Sequence, residues 1–204
     1  MTTFKQYRLA LQSFQSKRLS RDYSDLAEIS QYQPVGDFFF NEMYGPHDFS
    51  ERDAAARRLH QLTQILPGVG MRDVNEVLEL LELTKRLDDE LAQRMLDKQI
   101  GLDFDEPAYE QCYRELDNYE ERLHQIKLVD NSIYNVFRLS RSHLLGIALH
   151  SSQIFARILG LEAAHTFLVR GYDAVTGVQN INLFAETVYT REIVRLKRIF
   201  GRDE

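Results

Sequence analysis

The sequence predicts an all-α fold, a single-domain bundle of roughly seven to nine helices around a long central one, and three observations predict it. Apolar residues recur at three- and four-residue spacing along most of the chain. No run has the strict alternation and β-branched enrichment of a strand. The 204 residues, 44% of them hydrophobic, suffice for one substantial core, and no linker divides residues 1–204.

The elements follow in order. Phe4, Tyr7, Leu11 and Phe14 place a helix from residue 3 to about residue 19, and a short one from about Ser24 to Ser30 comes next. Gln33-Pro34 interrupts the pattern, because the residue before proline is pushed out of the helical region, so a third helix begins at about Pro34 or Val35. Gly45 and Pro46 end it, the one by accepting a left-handed conformation and the other by refusing to continue. Asp48 can cap the following helix through the N–H of Glu51, which reaches back in a variant of the capping box, and that helix runs from Phe49 to Ile65. Pro67-Gly68-Val69-Gly70 closes it, and Met71 to Leu96 is helical with Val74, Val77, Leu78, Leu81, Leu87 and Leu91 on its apolar face. Residues 101–107 form a loop that caps the next helix. From Tyr109 through Cys112, Leu116, Tyr119, Leu123, Ile126, Ile133, Phe137, Leu144 and Ile147 the rhythm is nearly unbroken, which predicts a long spine helix or two collinear ones. Between His143 and Leu159 it is apolar almost all round, as a central buried helix is. Gly160 terminates it. Helices at about Leu161–Val175 and Ile181–Phe200, parted by Gly177, complete the chain.

The densest punctuation is the corner at residues 38–53, where Phe38, Phe39, Glu42, Tyr44, Gly45, Pro46, Asp48, Phe49, Arg52 and Asp53 occur together. This run resembles the hallmark of the FFLEELY-motif family, uncharacterised all-helical bacterial proteins. The chain departs from it at Phe40, Asn41 and Met43, where the family tends to have Leu, Glu and Leu. The likeness extends through Gln15, Arg18-Leu19, Tyr23, Asp25-Leu26 and Tyr32-x-Pro34, then Leu66-Pro67, Glu82-Leu83 to Leu87-Asp88, and Gly160-Leu161 to Gly171-Tyr172. It implies a helical fold and no assigned reaction. Phe38, Phe39, Glu42, Tyr44, Asp48, Arg52 and Asp53 are accordingly read as a structural motif or interaction site. In it Glu42 holds Arg52, a cation that the dipole at a helix N-terminus disfavours.

Motifs with strong mechanics are absent: no phosphate-binding Gly-x-x-x-x-Gly-Lys, no Gly-x-Ser-x-Gly elbow and no His-Glu-x-x-His. Gly68-Val69-Gly70 meets Asp73 where a dinucleotide loop needs glycine. A calcium loop starting at Asp103 fails at Ala108 and Arg114. Two Glu-x-x-His spacings, Glu121 to His124 and Glu162 to His165, are the pattern of helical carboxylate metal enzymes, the alternative function. His143 and His150 lie on one side of the most apolar helix and could line a pocket, whereas Cys112 belongs to the core.

Net charge of −6 argues against general affinity for nucleic acid, a lone cysteine fits a reducing compartment, and neither a signal peptide nor a membrane span is visible. A cytoplasmic location is expected. Residues 1–21 and 187–202 carry five basic groups each, and the stretch between them is strongly acidic. Either the terminal helices meet an anionic partner, or they lie against the acidic middle and offset its repulsion, the reading favoured here. The function expected is non-enzymatic: binding of a protein partner, of a second copy, or of a small apolar ligand, with no cofactor.

Overall fold

The computed structural model describes residues 3–43, 71–158, 160 and 162–202, and every regular element among them is helical. The Gly45-Pro46 corner, the helix expected over residues 49–65, and Tyr44, Asp48, Arg52 and Asp53 lie outside the described residues, as does the side chain of Glu42.

Helix α1 spans Phe4–Asp22, three residues beyond its predicted end. It starts where the Thr3 N–H donates to the Gln6 side chain at 2.7 Å, and it buries Tyr7, Leu11, Gln15 and Leu19 along one stripe. Two single-turn helices follow, α2 (Ser24–Ala27) and α3 (Gln33–Gly36), the second with Pro34 in its first turn, where a missing N–H removes no helical bond. The chain then widens into a π-helix over Asp37–Met43.

That widening follows from three consecutive phenylalanines. Phe38, Phe39 and Phe40 are all buried. Successive side chains in an α-helix diverge too far around the axis for three in a row to enter one core, and the wider turn brings them closer to a common side.

Helix α4 (Met71–Asp97) leads to α5 (Glu106–Arg114), capped by Asp105, whose carboxylate accepts from the Ala108 N–H at 3.0 Å. Helix α6 (Tyr119–Ser140) is the central one; it packs against α4, against α9 (Glu162–Thr176) and against α10 (Asn182–Phe200). Eight helices among the described residues are seven residues or longer.

The predicted spine is thus real but cut into pieces. Asp117 takes the left-handed region at φ 50° between α5 and α6, as a short polar side chain permits. Ser142 caps a fresh start at α7 (His143–Ser151) by accepting from the Leu145 N–H at 3.2 Å, and Ser152 separates α7 from α8 (Gln153–Ile158).

Three apolar clusters hold these elements. The largest joins Phe38, Phe39 and Phe40 to Tyr23, Tyr32, Ile133, Phe184 and Val188. A second joins Leu145, Leu149 and Ala156 to Leu168, Val169 and Tyr172, and a third, between α1, α4 and α5, contains Tyr7, Leu11, Leu91, Met95 and the buried thiol Cys112. No helix among the described residues is long and apolar enough to cross a membrane.

Candidate functional site

The motif phenylalanines face inward and make dense ring contacts. Phe38 lies 5.0 Å from Phe167 between centroids and 5.5 Å, edge-on, from Phe39; Phe40 stacks on Tyr23 at 5.1 Å. Phe38 also seats on Gly171, where an added Cβ would stand 2.8 Å from its ring tip, and the hydroxyl of the neighbouring Tyr172 donates to the Ser142 carbonyl at 3.2 Å. Phe38 and Gly171, from two distant stretches of the sequence, therefore touch. Phe38 and Phe39 are packing residues.

The outer surface of α7 and α8 departs most from expectation. Between His143 and Leu159 the pattern, apolar almost all round, predicts a central buried helix. One side is buried: Leu145, Gly146, Leu149 and Ala156 face α9 and the core. The other carries Leu144, Ile147, Ile154 and Ile158, which expose 70%, 67%, 69% and 74% of their surface. Among the described residues this segment has apolar cover on one side, where its pattern calls for two. Polar pairs involve the same segment, Arg157 with Glu162 at 3.2 Å and His150 beside Asp173 at 3.3 Å.

The histidines and glutamates singled out earlier have separate partners. His124 meets Glu79 at 2.6 Å and Glu121 pairs with Arg86, both at the edge of an acidic groove between α4 and α6. His165 is buried, and its Nε2 is 2.7 Å from the Leu149 carbonyl, which can only accept, so Nε2 carries the proton and closes the end of α7. Glu162 goes to Arg157. Among the described residues no group of three or more His, Cys, Asp and Glu is disposed to hold a metal ion. His143 and His150 are exposed on α7; the Nδ1 of His150 donates to the Gly146 carbonyl at 2.8 Å, and neither residue lines the internal cavity described below.

The basic terminal helices meet the acids of the fold. Arg18 of α1 pairs with Glu192 of α10, whose carboxylate also accepts from the Tyr23 hydroxyl at 2.7 Å. Arg195 reaches Glu106 at 2.9 Å, Arg198 grips Glu110 with both terminal nitrogens at 3.0 and 2.5 Å, and Arg191 forks onto Asp25 at 2.7 and 2.6 Å. Burial alone would raise the Glu192 carboxyl, but Arg18, with the Tyr23 hydroxyl and Arg195, outweighs it and holds the group below the ordinary value. Burial and then Glu192 push the Tyr23 phenol well up, so it stays a donor. Sequence reasoning placed these charges on the terminal helices but missed their partners, because each pair joins segments far apart in the chain.

The family model described as Domain of unknown function (DUF8198) matches residues 1–204. No curated protein and no solved structure matches the chain.

Proposed function

The chain belongs to the DUF8198 family, whose description carries no activity, and we propose that it works by association through the outer face of α7 and α8, with a second copy of itself as the occupant. One observation carries this reading: Leu144, Ile147, Ile154 and Ile158 form a stripe of large aliphatics, each at least two-thirds exposed, on a segment whose sequence calls for cover on both sides. Four such side chains amount to on the order of 500 Å² of apolar surface, the scale of the core of an interface that buries about 800 Å² per partner. Charge favours self-association over an acidic or basic partner. Arg157 and Glu162 present both signs beside the stripe, so a two-fold axis can set each against its opposite. The buried side of the same helices, built on Leu145, Leu149 and Ala156, fixes the stripe's orientation. Binding here needs no reaction and no cofactor.

Sedimentation or light scattering on the purified full chain tests the reading. A dimer is expected at micromolar concentration, and Ile147→Glu or Ile154→Glu is expected to convert it to monomer with unchanged far-UV dichroism. A parent protein that is monomeric at about 100 μM overturns the proposal, since an interface of this size holds a homodimer well below that concentration.

A further inference from the structure

Inside the bundle, between α1, the π-helix, α4, α5, α6 and α10, lies a cavity of about 100 Å³. Its walls differ in chemistry. Phe39, Phe40, Val129 and Phe184 form an apolar side, while Arg18, Arg122 and Arg195 bring three guanidinium groups to it, accompanied by Asp88, Asp130 and Glu192.

These cations are not equally matched. Arg18 has Glu192, and Arg195 has Glu106 and Glu110. Arg122 is the most buried of the three, 2% exposed, and its nearest carboxylate oxygen, on Asp88, stands 3.6 Å away, beyond hydrogen-bonding distance. Its two terminal nitrogens donate to the Gln125 side chain at 3.1 Å and the Leu87 carbonyl at 3.0 Å, both neutral, and its plane lies 4.4 Å from the Tyr113 ring centroid. No protein group among the described residues accepts from Arg122 Nε. A buried guanidinium with a spare N–H calls for an acceptor, and its charge favours an anionic one.

We propose that this cavity is a binding site for a short-chain monocarboxylate, its carboxylate on Arg122 and its tail against Phe39 and Phe40. The two walls select an amphipathic ligand over a symmetrical anion. The volume limits it: a cavity of about 100 Å³ suits a small acid, acetate to butyrate, and excludes longer chains. The site is independent of the outer face of α7 and α8.

Calorimetric titration of the full chain with sodium acetate, propionate, butyrate and octanoate, at ionic strength matched with chloride, tests it. Saturable binding of one propionate or butyrate per chain is expected, with octanoate at least tenfold weaker. Arg122→Lys keeps the charge but removes Nε, and is expected to weaken binding at least tenfold. Val129→Phe fills the apolar side without touching an arginine, and is expected to abolish binding while the helical dichroism persists. Absence of saturable heat from every carboxylate overturns the proposal. So does binding of inorganic phosphate as tight as that of propionate, or a folded Val129→Phe protein that binds as the parent does.

Discussion

At the scale of single residues, Phe38 and Gly171 are in tight contact. A Cβ on Gly171 would sit 2.8 Å from the Phe38 ring, closer than such atoms approach, and Phe38 is held by Phe39 and Phe167. Gly171→Ala is therefore expected to cost about 1–3 kcal/mol in denaturant unfolding, the range for overpacking a filled core. Phe38→Leu in the same chain should recover part of that loss by removing the ring edge. Gly177 is the control. Nothing lies within 4 Å of the position its Cβ would take, so Gly177→Ala should be neutral or slightly stabilising through the unfolded chain. Equal losses at both glycines would mean that the motif packs less tightly than the ring contacts imply.

At the scale of elements, the π-helix over Asp37–Met43 turns a run of three phenylalanines into one side of the main core, with Phe40 against Tyr23 and, at 6.3 Å, Phe184. Phe40→Ala should cost about 3–5 kcal/mol in the same unfolding measurement, because it removes a buried ring and extends the neighbouring cavity. A loss under about 1 kcal/mol would show that the turn is not built around these rings. Helix positions were largely legible in the sequence: α1, α4, α9 and α10 stand within about three residues of where periodicity puts them. The breaks in the spine were harder to read, since the three-four rhythm runs straight through Asp117 and Ser142; the signals there are a short polar residue able to turn left-handed and a serine able to cap. The composition of the 143–158 face was legible too, but its exposure was not. An apolar pattern states that cover is needed and does not state whether the same chain provides it. The Arg122 cavity left no sequence trace, because its walls come from six elements that only the fold assembles.

At the scale of the whole molecule, the chain ends are clasped onto the acidic middle, and this sets the response to acid. Arg8 meets Asp89 at 2.9 Å from α1, while Arg195, Arg198 and Arg202 of the C-terminal region meet Glu106, Glu110 and Glu120. Partial burial would raise Glu106, but Arg195 and Arg21 prevail and depress it; Arg191 depresses Asp25; and Arg18 depresses Glu192. A carboxyl held below its ordinary value binds its proton more weakly in the fold than in the unfolded chain. Its stabilisation is complete above the ordinary range, about pH 3.9–4.3, and is lost as pH falls through the folded value. Asp88 has the opposite sign. Burial raises it, so the folded chain takes up that proton first, and falling pH adds stability from its folded value down to the ordinary one. Thermal melts between pH 7 and pH 3 separate the two. Glu192→Gln should lower stability at neutral pH by about 2 kcal/mol, the scale of a hydrogen-bonded charge deprived of its partner, and should flatten the fall of Tm toward acid. Asp88→Asn should steepen that fall, because it removes the carboxyl whose protonation helps the fold. If both variants kept the parent's slope, the acid response would belong to the exposed pairs, and the clasp between α1 and α10 would be an effect of packing alone.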